Sequence, residues 1–236
     1  MGSKKVLVTG SSGLVGIPVV RSLLEKGHTV VPYDIKDGLD VCDYATLTER
    51  MAGCDVVVHL AAIPFPHPHK SWREFWHHNV LAVAELAQAA HVCKVKRIVY
   101  TSSTTYYGFE DGVSLLGFPF VETDKHISQY MKPSELTKVS LPAISYMQSK
   151  VIAENILAVY GLTKRIQIAI LRLCPVRGDP YLGLNVYNEN VTPAIVRLVE
   201  TEEKMWYEVF NFANPSVDLI DTTKWDEFWE DEWQYC

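Results

Sequence analysis

The chain has 236 residues, of which 48% are apolar and 21% are charged, as is typical of a folded globular domain and not of a disordered chain. Its formal net charge of −6 argues against the basic surface of a nucleic-acid-binding protein. No apolar run has the length of a membrane span, and the first residues are not followed by the apolar core of a signal peptide. We therefore expect a cytoplasmic protein that binds neither nucleic acid nor membrane.

The five cysteines are widely spaced and form no CxxC motif, which favours a reducing compartment over a disulfide framework. Acidic residues concentrate in the last part of the chain, where residues 216–236 carry seven acids and one lysine. In this tail Trp225, Phe228, Trp229 and Trp233 have the spacing of one helix face. This aromatic stripe predicts a helix that packs on the body of the protein, and a contact with a second copy is the alternative.

Short apolar runs alternate with segments of helical period along the first half of the chain. The predicted strands are 5–9, 29–33, 55–59 and 96–101, and the predicted helices are 14–25, 44–51 and 72–94. Further along we predict a helix over 146–160, a strand over 165–173, a helix over 190–200 and a strand over 207–212. This rhythm predicts an α/β fold, a Rossmann-type doubly wound parallel sheet with helices on both faces.

A glycine-rich loop joins the first strand to the first helix. Gly10 permits the sharp turn, Gly13 lets the backbone approach a diphosphate, and Gly16 lets the helix pack closely on the strand. The helix N-terminus would then present N–H groups and partial positive charge to the anion. The loop therefore predicts a dinucleotide site that also includes Ser12, Leu14 and Val15.

An acidic residue ends the second predicted strand. Asp34 can accept hydrogen bonds from both adenosine ribose hydroxyls and would repel the 2′-phosphate of NADP, so NAD is the expected cofactor. Lys36 lies close enough in sequence to soften that preference. Ile35 belongs to the same predicted site, and Asp40 and Val41 are expected to meet the adenine.

Tyr146 and Lys150 have the Tyr-x-x-x-Lys spacing, which places both side chains on one face of a helix. A neighbouring ammonium favours the phenolate form, so that Tyr146 can exchange a proton with a substrate hydroxyl or carbonyl. The fourth predicted strand ends in the hydroxyl residues Thr101–Thr104, where one hydroxyl could polarise the same group. Together these residues predict hydride-transfer chemistry.

With these motifs in this order, the chain resembles the extended short-chain dehydrogenases/reductases, the NAD-dependent epimerase/dehydratase group. The resemblance covers about residues 4–178. The motifs that carry it are Thr9–Gly16, Asp34, Asp40-Val41, His59–Ala62, Asn79, Thr101–Gly108, Tyr146–Lys150 and Leu171–Val176.

The resemblance implies a role for each matched position. Ser103, Tyr146 and Lys150 would form the catalytic triad. The cofactor would also meet Leu60, Ala61, Ala62, Thr101, Pro175 and Val176, and Asn79 would support the active-site backbone from the long helix beside the cofactor. Ser103, Thr104 and Arg177 are the expected substrate contacts.

Three departures from the family pattern bear on the substrate. Thr104 and Thr105 stand where the family's dehydratases carry an Asp-Glu pair, which argues against dehydration of a nucleotide sugar. Residues 109–145 form an unusually long predicted substrate loop. Few residues follow Tyr146, so we expect a domain over 1–178 and a small, shortened C-terminal substrate lobe with its acidic tail over 179–236. The short lobe resembles that of family members that oxidise free uronates.

Four histidines (His67, His69, His77 and His78) follow the third predicted strand. Prolines make this segment an extended loop and no cysteine or acid completes a ligand set, so we expect no metal site. Lys70 and Arg73 in the same region, and Arg177 further along, could meet a substrate carboxylate.

Three functions stay open at this point. The first is an NAD-dependent oxidoreductase acting on a sugar or sugar acid, and the second is a nucleotide-sugar 4-epimerase that uses the same residues. The third is a dinucleotide-binding sensor or scaffold without turnover, against which the intact triad argues. By resemblance we also expect a homodimer formed through the helices 72–94 and 146–160.

Overall fold

The computed structural model describes residues 2–108, 120–124, 126, 139–176, 187–213 and 221–229. The strands are β1 (Lys5–Thr9), β2 (Thr29–Tyr33), β3 (Val56–His59), β4 (Arg97–Ser103), β5 (Gln167–Leu173) and β6 (Glu208–Phe212). The helices are α1 (Gly16–Glu25), α2 (Tyr44–Met51), α3 (Trp72–Phe75), α4 (Ala82–Val92), α5 (Leu141–Leu162), α6 (Asn188–Glu200) and α7 (Thr223–Trp229). Most of the predicted substrate loop 109–145 and Arg177 lie outside the described residues.

The described strands form one parallel sheet in the order β2-β1-β3-β4-β5-β6. The chain passes from β1 to β2 on one side and then returns to β3 on the other side of β1. In such sheets a crevice opens beyond the carboxyl ends of the two strands where the direction reverses. This topology places the ends of β1 and β3, and hence Gly10 and Leu60, at that crevice.

Helices cover both faces of the sheet. Because successive strand residues point to opposite sides, each face has its own core. Val6 and Val8 of β1 pack in one core cluster with residues of α1 and α6, whereas Leu7 packs in a second cluster with α2, α4 and α5. The four residues of β3 are all buried, as expected for a strand covered on both faces. The predicted α/β doubly wound fold is confirmed.

Two helices differ from their predicted bounds. The helix that carries Tyr146 begins at Leu141, earlier than predicted, because the Ser140 side chain accepts a hydrogen bond from the Ala143 N–H and Pro142 is compatible with a first helical turn. The predicted helix 72–94 is interrupted by a π-helical turn (Trp76–Leu81) between α3 and α4. Turns of this kind are frequent at functional sites, and this one carries Asn79.

Residues after 178 add to the same sheet where the structure describes them. The strand β6 pairs in parallel with β5, and α6 packs against α1. The predicted division of the chain after residue 178 stays a prediction, because residues 177–186 lie outside the described part.

The predicted packing of the tail stripe on the body is confirmed for its first two members. The buried Trp225 side chain meets the rings of Phe210 and Phe212 at centroid distances of 5.4 and 5.1 Å, and the Phe228 ring lies 5.4 Å from that of Phe210. The Trp229 side chain and Trp233 lie outside the described residues.

The described residues include four cysteines, and each of them is a free thiol. Among the helices that the structure describes, none combines the length and hydropathy needed to cross a membrane.

Candidate active site

The glycine loop after β1 is shaped by close backbone approach. Gly10 has a φ of +68°, and a Cβ atom there would lie 2.8 Å from the backbone nitrogen of Ala61. A Cβ atom on Gly16 would collide with the carbonyl oxygen of Gly10. No described side chain caps the amino end of α1, and its first turn holds no acidic residue. This helix terminus therefore presents backbone N–H groups and partial positive charge to the cavity.

Asp34 is a fixed carboxylate in the cavity wall at the end of β2. Its Oδ2 accepts a hydrogen bond from the Ser12 N–H at 2.8 Å, and its Oδ1 accepts one from the Lys36 N–H at 3.0 Å. The Lys36 ammonium donates to the carbonyl oxygen of Ser12 at 2.9 Å and so lies along the same wall. The arrangement offers an oriented hydrogen-bond acceptor with a cation beside it.

Tyr146 and Lys150 lie on one face of α5, and both line the cavity. The Lys150 ammonium lies 5.9 Å from the centre of the Tyr146 ring. It donates hydrogen bonds to the carbonyl oxygen of Thr101 at 3.1 Å and to the Tyr100 hydroxyl at 3.4 Å. Burial lowers the pKa of Lys150 to about 8, because desolvation disfavours the charged form.

Ser103 ends β4 and lines the same cavity. Its Oγ accepts a hydrogen bond from the Thr105 N–H at 3.3 Å, which leaves the hydroxyl proton available as a donor. The Thr105 hydroxyl is also in the wall and has no partner among the described atoms. The cavity thus brings two hydroxyls, a phenol and an ammonium together.

A buried histidine supports the floor between β1 and β3. The Thr9 hydroxyl and the Nδ1 atom of His59 form a hydrogen bond of 2.7 Å, and the His59 ring stacks on that of Tyr100 at 5.7 Å. Burial lowers the pKa of His59 to about 3, and the Lys150 charge acts in the same direction. The imidazole is therefore neutral at physiological pH and does not compete with Tyr146 for a proton.

The glycine loop, Asp34, Ser103, Thr105, Tyr146 and Lys150 open into one cavity of about 970 Å³. Eighteen of the predicted site residues line it, namely Gly10, Gly13, Leu14, Val15, Gly16, Asp34, Ile35, Asp40, Val41, Leu60, Ala61, Ala62, Thr101, Ser103, Tyr146, Lys150, Pro175 and Val176. The close-approach glycines, the open helix terminus and the fixed Asp34 carboxylate fit a dinucleotide. The residues present therefore fit NAD.

Three of the predicted contact residues do not line this cavity. The Ser12 N–H is engaged by Asp34, as described above. Asn79 is buried, where it bonds both backbone groups of Ile63 and the Ser149 hydroxyl, so that it supports the cavity wall from behind. Thr104 is also buried, and its hydroxyl donates to the Leu173 carbonyl at 3.5 Å. Thr105 lines the cavity, whereas the predicted ligand contacts of Ser12 and Thr104 stay predictions and Asn79 holds the backbone of Ile63.

The sequence prediction missed several wall residues. The polar ones include Ser102, Thr105 and His78, and the segment Ile63–Pro66 supplies an apolar wall. Lys70, predicted as a possible carboxylate contact, is in the wall and pairs with Glu74 at 2.7 Å, whereas the Arg73 guanidinium lies over the Trp72 ring. Proximity to the His59–Ala62 motif was the signal that could have identified residues 63–66.

The histidine loop offers no metal site in the part of the chain that the structure describes. No three His, Cys, Asp or Glu side chains of the described residues come together in a way that could hold a metal ion. The His77 and His78 rings pack edge to face at 4.8 Å.

A family model described as the NAD dependent epimerase/dehydratase family matches residues 6–222. The chain belongs to this family.

Relatives in the family include proteins named for different reactions. An uncharacterized UDP-glucose epimerase of Bacillus subtilis, YtcB, is 29% identical over 205 residues, which cover 74% of this chain and 57% of that protein. An L-arabinose 1-dehydrogenase (NAD(P)(+)) of Haloferax volcanii is 33% identical over 106 residues, which cover 42% of this chain and 41% of that protein. The chain thus spans only about half the length of these relatives.

The fold is shared with a UDP-N-acetylglucosamine 4-epimerase from Bacillus cereus. That crystal structure matches with a TM-score of 0.75 at 22% sequence identity, and the match covers 97% of this chain and 92% of that chain. At this level of identity the match is evidence for the fold.

Proposed function

We propose that this chain is an NAD-dependent oxidoreductase that interconverts a hydroxyl and a carbonyl group on a sugar or sugar acid. The observation that carries the proposal is that Ser103, Tyr146 and Lys150 line the same cavity as the glycine loop and Asp34. A binding protein without turnover has no need of a phenol and a buried ammonium beside the dinucleotide.

The residues of the cavity wall support an assignment of each part of the cofactor. The loop Gly10–Gly16 and the amino end of α1 would hold the diphosphate, Asp34 would hold the adenosine ribose, and Pro175 and Val176 would meet the nicotinamide. When bound, NAD accepts or returns the hydride. Asp34 disfavours the 2′-phosphate of NADP, and Lys36 beside it reduces that discrimination.

The catalytic residues divide the proton chemistry among them. Tyr146 takes the proton from the substrate hydroxyl, or gives one to the carbonyl oxygen in the reverse direction. The positive charge of Lys150 stabilises the phenolate that this transfer requires. Ser103 donates a hydrogen bond to the same substrate oxygen and holds it in place.

A sugar 4-epimerase is the second candidate, and the name of the B. subtilis relative favours it. Such an enzyme uses the same three residues, because the ketone formed at the sugar is reduced again on its other face. The two reactions differ in whether reduced cofactor leaves the protein.

The test is incubation of the chain with NAD and, separately, free sugars, sugar acids and UDP-sugars. NADH absorbance and the sugar products are followed in parallel. Accumulation of NADH with one substrate establishes the dehydrogenase. Interconversion of UDP-sugars without NADH accumulation overturns it in favour of the epimerase. Binding of NAD without any product overturns both and leaves the sensor.

We also propose that the chain forms a homodimer through the helices named in the sequence analysis. Val92 is exposed at the end of α4, and Val159 and Leu162 are exposed at the end of α5. The two helix ends are neighbours, because the Tyr160 hydroxyl donates to Gln88 of α4. Single exposed apolar residues are common, but three on two neighbouring helix ends favour a covered face. Sedimentation equilibrium at micromolar concentration tests this, and a monomer would contradict it.

A further inference from the structure

A buried ion pair lies one helical turn beyond Lys150 on α5. The Arg172 Nη2 atom lies 2.8 Å from Oε2 of Glu154, and Arg172 Nε also donates to the carboxylate. Both side chains are almost fully buried, with 3% and 1% of their surface exposed. Residues four apart share a helix face, so that Glu154 and Lys150 point toward the same side of α5.

The pair also connects α5 to the turn that follows Ser103. The Arg172 guanidinium lies 3.5 Å from the centre of the Tyr106 ring, and its Nη1 donates to the Tyr107 hydroxyl at 2.7 Å. The Tyr107 hydroxyl in turn donates to Asn211 of β6 at 2.7 Å. Displacement of Arg172 would therefore move both the catalytic helix and the turn beside Ser103.

Stability alone does not account for burying these charges. A buried ion pair can often be replaced by apolar residues of similar volume without loss of stability, because the charges lose their hydration. Loss of one member has a different consequence here. A neutral side chain at position 154 would leave two buried cations, Arg172 and Lys150, without the Glu154 carboxylate that acts on both.

The groups around Lys150 offer no other negative charge among the described residues. Tyr146 and Glu154 face it from α5, Tyr100 from β4 and His59 from β3. Around Glu154 the charged and titratable groups are Arg172, Tyr100, Tyr106, Tyr107, His126 and Tyr207. Burial lowers the pKa of Lys150 to about 8, and the Glu154 carboxylate opposes that fall.

We propose that Glu154, held by Arg172, is a positioning residue that keeps the Lys150 ammonium charged and seated beside Tyr146. The proposal rests on the proposed function, since the charge on Lys150 matters for the proton exchange at Tyr146. It extends the active site by one helical turn, to a pair that touches neither substrate nor cofactor.

The test measures the titration of Lys150 directly, by NMR of the full chain labelled with ¹³C at the lysine Cε. The signal is identified by its loss in Lys150→Met. In Glu154→Gln we expect the titration midpoint to fall by about one pH unit or more, because an opposite charge nearby typically shifts a pKa by 1–3 units. Arg172→Lys keeps both charges and is expected to leave the midpoint close to that of the wild type. Glu208→Gln, which removes a carboxylate from an exposed pair with Lys224, is the matched control.

An unchanged midpoint in Glu154→Gln would overturn the proposal. If that variant does not fold, the double variant Glu154→Gln/Arg172→Gln removes both charges together, and its midpoint must also lie below that of the wild type. The NMR titration needs neither cofactor nor substrate, so a wild-type chain without turnover would refute the proposed function and leave this result standing. Where turnover is found, the alkaline limb of the kcat profile must move to lower pH with the midpoint, a change that lost packing alone would not cause.

Discussion

The two ends of the parallel sheet each bury an arginine, and they use it differently. At the amino end Arg97 opens β4 and donates to the carbonyl oxygens of Leu198, Thr201 and Glu203, where the chain leaves α6. At the carboxyl end Arg172 pairs with Glu154 of the catalytic helix α5. Carbonyl groups at a helix end lack helical partners, so a cation there completes the fold.

The comparison teaches that a buried charge does not by itself mark an active site. The carboxyl end differs in the groups that surround the arginine. They are a cavity, the buried Lys150 whose pKa is lowered to about 8, and the Thr105 hydroxyl, which has no described partner. Substitutions at the two ends should therefore separate turnover from stability.

The largest effect on turnover is expected at the carboxyl end. Tyr146→Phe removes the proton-exchanging hydroxyl and should lower kcat by about 10²–10⁴-fold, the usual contribution of general acid–base catalysis. The dissociation constant for NAD and the unfolding midpoint should change little. Tyr160→Phe is the matched control on the same helix, because the Tyr160 hydroxyl bonds Gln88 far from the cavity. Equal kcat in the two variants would remove Tyr146 from the mechanism.

At the amino end the reverse result is expected. Arg97→Met leaves several carbonyl oxygens without a donor and should lower the free energy of unfolding by about 3–5 kcal/mol, since hydrogen bonds to charged groups contribute about 1.5–3 kcal/mol each. Denaturant titration measures this loss, and kcat per folded molecule should be unchanged. Arg97→Lys, which keeps the charge but not the forked donor, should lose less. A fall in kcat of Arg97→Met without a fall in its free energy of unfolding would refute the structural role of Arg97.

At the carboxyl end, the buried Lys150 ammonium is expected to lower the free energy of unfolding. Its pKa lies near 8 in the folded chain against the usual 10.5, so between these pH values the unfolded chain binds more protons. The free energy of unfolding should accordingly rise with pH over this range by about 1–3 kcal/mol. Lys150→Met should abolish that rise, increase stability at pH 7 and eliminate turnover. Denaturant titrations from pH 7 to 10.5 measure the free energy of unfolding of each protein. The same pH profile in the wild type and in Lys150→Met would contradict the prediction.

The smallest effect concerns cofactor choice. Asp34→Asn weakens the acceptor for the ribose hydroxyls and should raise the dissociation constant for NAD about tenfold, while NADP binding improves. Tryptophan fluorescence on cofactor titration measures both constants. Asp37→Asn, an exposed acid three residues away, is the control. If Asp34→Asn binds NAD as the wild type does, Asp34 does not select the cofactor.

Much of the fold could be predicted from the sequence because parallel strands buried on both faces are nearly continuous apolar runs. β3 is an example, since the run Val56-Val57-Val58 is typical of a buried strand and lacks the spacing of an amphipathic helix. Helix ends were harder to place. Pro142 interrupts a helical pattern in the sequence but is compatible with the first turn of α5.

Most of the predicted site residues that line the cavity belong to motifs that fix the backbone, whereas a turn decides the direction of the Thr104 and Thr105 side chains. The loop Gly10–Gly16 follows directly from a strand-to-helix junction. Thr104 and Thr105 begin a short 3₁₀-helix after β4 in which both are buried, but Thr105 lines the cavity whereas the Thr104 hydroxyl donates to the Leu173 carbonyl. Asn79 supports the backbone of Ile63, as the family resemblance implies, but from a π-helical turn that leaves no mark in the apolar pattern.

The π-helical turn Trp76–Leu81 restricts which insertions and deletions this protein can tolerate during evolution. A π-helical turn holds one residue more than an α-helical turn, and successive residues of an α-helix are about 100° apart around its axis. Loss of a single residue within Trp76–Leu81 would therefore convert the turn to a regular α-helix and rotate α3 relative to the buried face of α4. This rotation would displace Phe75, whose ring lies 6.1 Å from that of Tyr146. In descendants of this chain, substitutions should therefore accumulate in the segment while its length stays fixed.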